Sequence, residues 1–219
     1  EKKAQELWHL IEPFATYGFN KAHAASYGRL AYQTAYMKAN YPIEYMTAIL
    51  TAESGDTEKI SEIITESKRM KLPILPPDIN ASFGDFTIVD KSSLGPSPVP
   101  RHSSGDLSAD SEIRFGLYTI KNLGVDIADA IIAERETNGT FKSLVDFLER
   151  IRHKNLNKKS FEALVKVGAI DAFGERGQMI ANTEEAMEYN KAQGKEMSGQ
   201  ESLFGMMTDT SSVPSLRLK

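Results

Sequence analysis

Apolar residues recur every three or four positions through the first 72 residues, the period of helices that bury one face. Trp8, Leu10, Ile11 and Phe14 make the first such face. A second helix is expected from Lys21 to Asn40 and must end at Tyr41-Pro42, because a proline ring disfavours helical dihedrals in the residue before it. Pro42 itself suits the first turn of the next helix, "PIEYMTAILTA", whose Tyr45, Met46, Ile49 and Leu50 form a core stripe. Asp56 is placed to cap "TEKISEIITESKRM", in which Ile60, Ile63 and Ile64 face inward. These helices are expected to pack as one unit, within a segment 1–80.

The helical period stops at "LPILPPDIN", where three prolines in five residues remove donors and hold the chain extended. Asp78 reads as a turn residue. "DFTIVD" and "EIRFGL" alternate like strands and bracket a Ser-, Pro- and Gly-rich tract with almost no apolar anchor. The expectation is a small β-hairpin over 81–117 whose connection, about 91–110, is disordered. The helical period returns in "IADAIIAERE", "SLVDFLERI" and "KKSFEALVKVG". It weakens after Phe173, leaving one charged helix at about 178–193 and a flexible C-terminal tail. The fold class is therefore mainly α, with one β-hairpin.

Length allows one sizeable core or two modest ones. The 26 Lys and Arg against 30 Asp and Glu give a formal charge of -4, so any nucleic-acid contact must be local rather than a bulk electrostatic coat. Without Cys there is no disulfide framework, thiolate zinc site or cysteine nucleophile, which is compatible with an intracellular home. The first residues do not read as a signal segment and no apolar run reaches membrane-spanning length. A soluble, cytoplasmic protein is expected, and the absence of an initiator Met suggests a piece of something longer.

"IKNLGVDIADAIIAERE" has the layout of a helix-hairpin-helix, in which hairpin amides and the second helix's N-terminus can face a DNA phosphate. Lys121, Asn122 and Gly124 are the candidate contacts. Gly124 allows a turn dihedral and a close backbone approach, while Asn122 stands where such hairpins usually carry a first glycine; Asn tolerates positive φ better than most residues. An ordinary pair of packed helices remains the alternative. A second pair follows, with Asn157 as cap and Gly168 as stop. Its connection concentrates Arg150, Arg152, His153, Lys154, Lys158 and Lys159, either as solvated charge or as a phosphate-binding patch. Residues 118–175 are thus read as a tandem helix-hairpin-helix region. In the tail segment 176–219, "QESLF" at 200–204 offers an amide, Gln200, and an apolar plug, Leu203 and Phe204, that could dock in a pocket and order on binding.

"YGFNKAHAASYGRLAYQTAYMK" places Asn20, Lys21 and His23 at a helix start, a position suited to a phosphate chain through dipole and ammonium together. Ala25 and Gly28 lie between Lys21 and Tyr32 on about one face, leaving either a groove or a tight helix crossing with His23 buried. His9, His23, His102 and His153 are scattered, and no metal-ligand spacing, P-loop, Rossmann fingerprint or nucleophile elbow occurs. No metal site and no catalytic residue is assigned.

Taken in order, "YGFNKAHAASYGRLAYQTAYMKANYPIEYMTAILTA", "LPPDIN", "FGLYTIKNLG", "LNKKSFEALVKVGAIDAFG" and "QESLF" make the chain resemble the C-family bacterial replicative polymerases, the DNA polymerase III alpha subunits. The resemblance spans about residues 1–205, apart from the Ser- and Pro-rich tract. It implies later fingers, a tandem helix-hairpin-helix region and the start of a clamp-binding segment. Tyr17, Phe19, Asn20, Lys21 and His23 would then border the incoming dNTP. Lys21 would meet phosphate, with His23 and Tyr17 checking sugar and base. Lys154, Lys158 and Lys159 would join the first hairpin in holding primer-template DNA. Gln200, Leu203 and Phe204 would enter the sliding clamp, and other subunits of the replicative holoenzyme would be partners.

The resemblance also implies that the catalytic carboxylates, and the Mg2+ they hold, belong to a palm upstream of residue 1. This chain is therefore expected to contain no cofactor and to be inactive alone as a DNA-directed DNA polymerase. The sequence stops before the oligonucleotide-binding fold and loader-contacting region expected further on. Two other readings stay open: a non-catalytic helix-hairpin-helix adaptor with a clamp-binding peptide, and an error-prone paralogue of the same family.

Overall fold

The computed structural model describes residues 2–16, 21–90 and 111–196. The chain divides into two compact units, Glu1–Tyr45 and Met46–Lys219. In the first, α1 spans Lys2–Thr16 and α2 spans Lys21–Asn40. Leu7, Trp8, Leu10 and Ile11 of α1 are all more than half exposed, so the face expected of Trp8, Leu10 and Ile11 is present in spacing but not buried. The side chain of Phe14 lies outside the described residues. As expected, α2 gives way at Tyr41, whose N–H still donates to the Met37 carbonyl at 2.8 Å, and α3, Pro42–Ala52, starts on the proline.

The division between units falls within α3, and its Met46 and Leu50 are fully buried. In the second unit α4 spans Thr57–Arg69, and Asp56 caps it by accepting from the Glu58 and Lys59 N–H groups. The expected hairpin is formed by β2, Thr87–Asp90, and β3, Ser111–Arg114, antiparallel with Ile88 opposite Ile113. A third strand, β1, Ile74–Leu75, pairs parallel to the other side of β3, giving the order β1-β3-β2. The prolines had marked only an end to helix. A proline has no N–H but keeps its acceptor, and the Pro73 carbonyl receives the Ile113 N–H at 2.9 Å. The tract 91–110 and the tail beyond Glu196 lie outside the described residues.

After a 3-10 turn at Leu117–Thr119 come α5, Val125–Asn138, α6, Leu144–Arg150, and α7, Lys158–Val167. Ile127 and Ile131 of α5, Phe147 and Leu148 of α6, and Phe161 and Leu164 of α7 are completely buried in one core. Each such side chain contributes on the order of 1.5–3 kcal/mol by leaving water. Two short helices follow, α8, Arg176–Ala181, and α9, Thr183–Glu196, where one helix at about 178–193 was expected. Met179, Ala186, Met187 and Tyr189 carry them into the same core. The Asn190 amide donates to the Leu148 and Ile151 carbonyls at 2.6 and 2.9 Å, completing the C-terminal end of α6.

"LPPDIN" does more than turn the chain. Asp78 does receive the Asn80 N–H at 2.7 Å, as a turn residue should. The Asn80 side chain then makes two bonds to the Phe141 backbone, accepting its N–H and donating to its carbonyl. Ile79 N–H donates to the Ala169 carbonyl, and the buried Arg135 guanidinium donates to the Ile79 and Ser82 carbonyls at 2.8 and 2.9 Å. Residues 78–82 thereby tie the sheet side of the unit to both helix pairs. Burial pushes the Arg135 pKa down from its ordinary value, and its carbonyl partners supply the polar environment that a buried cation requires.

Candidate nucleic-acid interface

The first hairpin runs from the 3-10 turn to α5. Ile120 and Leu123 are buried and hold it to the core, while Lys121, Asn122, Gly124, Val125 and Asp126 are exposed. The left-handed dihedral falls on Asn122, with φ of 68°. Gly124 is extended, with φ of -70° and ψ of 153°, so the conformational reason for a glycine applies to Asn122 and not to Gly124. An added Cβ at Gly124 would meet nothing within 4 Å, which leaves the backbone open from outside. No side chain caps α5. The first amides of any helix lack an intrahelical acceptor, and Val125 and Asp126, which carry two of them, are exposed at the positive end of the helix dipole.

The second hairpin joins α6 to α7 through Arg152–Asn157. Asn157 caps α7 by accepting from the Lys159 and Ser160 N–H groups, and Ser160 completes a reciprocal capping box. Gly168 ends the helix in the left-handed region, φ 81°, as expected of a stop glycine. The Ser160 hydroxyl also donates to the Asn155 carbonyl, fixing the loop from inside. Asn155 in turn donates through its side chain to the Asp126 carboxylate at 3.4 Å. The shared core places the two hairpins, and this long contact puts Asn155 of the second next to the first turn of α5.

The basic residues of the connection separate by role. Arg150 is turned inward: its Nε meets Glu134 at 2.9 Å, a terminal nitrogen donates to the Gly139 carbonyl at 2.7 Å, and the guanidinium lies 4.4 Å from the centre of the Phe141 ring. It holds the Glu134 carboxyl below its usual pKa and belongs to the scaffold, not to a solvent-facing patch. Arg152 donates to the Glu149 carbonyl. Lys158 pairs with Glu184 of α9 at 2.7 Å, which raises the pKa of the amine. Both partners are exposed, so the pair is readily exchanged for another anion. Lys121, Lys154 and Lys159 are exposed, and among the described residues they form no ion pair.

The other expected sites are only partly within view. Tyr17, Phe19 and Asn20, together with Gln200, Leu203 and Phe204, lie outside the described residues. Lys21 opens α2, though nothing is described of its side chain. His23 is exposed with its ring 4.2 Å from that of Tyr27, and an added Cβ at Gly28 would meet nothing within 4 Å. A tight crossing that buries His23 is thus absent among the described residues. No group of three or more His, Asp or Glu side chains that could hold a metal occurs among them either. Asp126 and Asn155, which bring the hairpins together, escaped sequence reasoning. Asn155 gave a faint signal as a second amide two residues ahead of the cap.

Residues 71–179 match a family model described as the helix-hairpin-helix motif. The DNA polymerase III subunit alpha of Deinococcus radiodurans is 42% identical over 210 residues, covering 94% of this chain and 14% of that protein. The Thermus aquaticus subunit is 41% identical over 214 residues, covering 98% and 16%. That of Borreliella burgdorferi is 40% identical over 206 residues, covering 93% and 16%. The chain belongs to the DNA polymerase III alpha-subunit family. It spans about a seventh of the length of these curated relatives. Within this alpha-subunit segment the helix-hairpin-helix match takes up about half of the chain, and the resemblance read from five motifs corresponds to homology over nearly the whole chain. No helix among the described residues is long and apolar enough to cross a membrane.

Proposed function

We propose that this segment is the non-catalytic grip of the alpha subunit, holding duplex DNA by its phosphates behind the site of synthesis. The observation that carries the reading is the pairing of the two hairpins through Asn155 and Asp126, with the uncapped start of α5 and exposed Lys121, Lys154 and Lys159 nearby. Amides and ammonium groups aimed at phosphates fix position along the duplex without reading bases. A net charge of -4 makes this grip local and weak. Anisotropy titration of the 219-residue chain against duplexes of unrelated sequence should give similar affinities that fall steeply with salt. A strong preference for one sequence would contradict the reading.

The finer assignments rest on the same homology. Tyr17, Phe19, Asn20, Lys21 and His23 border the dNTP, an arrangement supported by the exposure of His23 and the open face at Gly28. In the full-length enzyme, Lys21→Ala should raise the nucleotide KM or lower kcat, and unchanged kinetics would remove that role. Gln200, Leu203 and Phe204 dock in the sliding clamp. Replacing Leu203 and Phe204 with Ala should abolish clamp binding in a direct assay, and retained affinity would exclude the peptide. Template-directed DNA synthesis in the cytoplasm, with the rest of the replicative holoenzyme, is the setting of the whole subunit. Mg2+ belongs with the palm that the homology implies for the whole subunit.

A further inference from the structure

Asp126 is out of place in a phosphate-binding hairpin. It is exposed in the first turn of α5, among the amides that the grip would offer to a phosphate, and its own N–H is one of them. A carboxylate there stabilises the free helix through the dipole but repels an incoming phosphate. The same carboxylate accepts from Asn155 Nδ2 at 3.4 Å and so draws the second hairpin toward the first. Asn155 is itself held on three further sides. Its N–H donates to His153 Nδ1, and its carbonyl accepts from Ser160 Oγ and Asn157 Nδ2. A rigid loop thus ends on a single acid of the neighbouring hairpin. Asp129, one turn further along α5, has its carboxylate engaged by the Tyr118 hydroxyl.

We infer that Asp126 sets the strength of the grip, aligning the two hairpins through its hydrogen bond while its charge holds duplex affinity below what the same amides and lysines would otherwise reach. The inference rests on the DNA-holding reading above. It separates two properties of one side chain: the acceptor that aligns and the charge that weakens. Asn at this position keeps an acceptor within reach of Asn155 and removes the charge. The cost is borne by the unbound helix, which loses a favourable interaction at its N-terminus.

The test is a salt series of duplex titrations on the full chain with Asp126→Asn, Asn155→Ala and Lys154→Ala. Asp126→Asn should tighten binding by about three- to tenfold at low salt, with the gain fading as counterions screen the charge. Asn155→Ala should weaken binding while circular dichroism and the melting curve stay close to those of the parent. Affinity unchanged or lowered in Asp126→Asn, with the fold intact and Lys154→Ala still weakening binding, would overturn the role of Asp126 alone. If the parent chain shows no salt-dependent duplex binding, the DNA-holding reading fails and this inference falls with it.

Discussion

Gly116→Ala should cost this chain about 3 kcal/mol or more, because the clash it creates is with backbone. An added Cβ would lie 2.1 Å from the Gly84 carbonyl oxygen and 2.4 Å from the Asp85 carbonyl carbon. No side-chain rotation relieves such a contact. The strand segment must move, and with it the bonds from Leu117 N–H to the Phe83 carbonyl and from Tyr118 N–H to the Gly84 carbonyl. Those bonds lead into the first hairpin, so the strain reaches the turn proposed to face DNA. Thermal unfolding should fall by roughly 6–12 °C for a domain of this size. Gly28→Ala supplies the contrast. It lies in α2 with open space around it, and replacing a helical glycine should stabilise that helix by about 0.5–1 kcal/mol. Equal melting temperatures for Gly116→Ala and the parent would refute the packing described for the sheet.

The second large effect is on binding. Replacing Lys154 and Lys159 together with Ala should weaken duplex affinity by roughly an order of magnitude at moderate salt, and should reduce the slope of log affinity against log salt by about 1.8. The slope is the sharper measurement, because it reports the number of phosphates neutralised rather than the stability of the fold. Lys158→Ala serves as an internal comparison. Its ammonium already faces Glu184, so its removal should lower the slope by less than either neighbour's. Lys154 and Lys159 are both exposed, and their loss should leave the melting temperature almost unchanged. An unaltered slope would return them to ordinary solvated charge.

How much of this was legible in the sequence depends on which interactions carry the structure. Periodicity located α2 through α7, and capping chemistry placed Asp56, Asn157 and Gly168 correctly, since caps depend on one side chain and its nearest amides. Strand alternation found β2 and β3 but not β1, whose two residues sit between prolines and are too few to show an alternation. Burial was less legible. The apolar spacing in α1 is helical, yet Trp8 and Leu10 are exposed, because periodicity says which residues share a face and not what covers it. At the interface, charge counting grouped Arg150 with Lys154 and Lys159, though Arg150 serves Glu134 and the Gly139 carbonyl. The bond between Asn155 and Asp126 joins residues 29 positions apart, and the staple from Asn80 to Phe141 spans 61. Pairings at that range between common polar residues leave no local pattern to read.

The anchoring of α9 fixes the point from which the residues after Glu196 set out. Because Asn190 and Tyr189 fasten that helix to α6, through the Leu148 and Ile151 carbonyls and Glu149, the helix cannot swing freely, and its last turn ends at Glu196. Gln200 follows four residues later, so it can lie no more than about 14 Å from that end. If Gln200 opens a clamp-docking peptide, as proposed, a ring seated on it would be held within that radius of α9. A flexible insert after Glu196 would widen that radius.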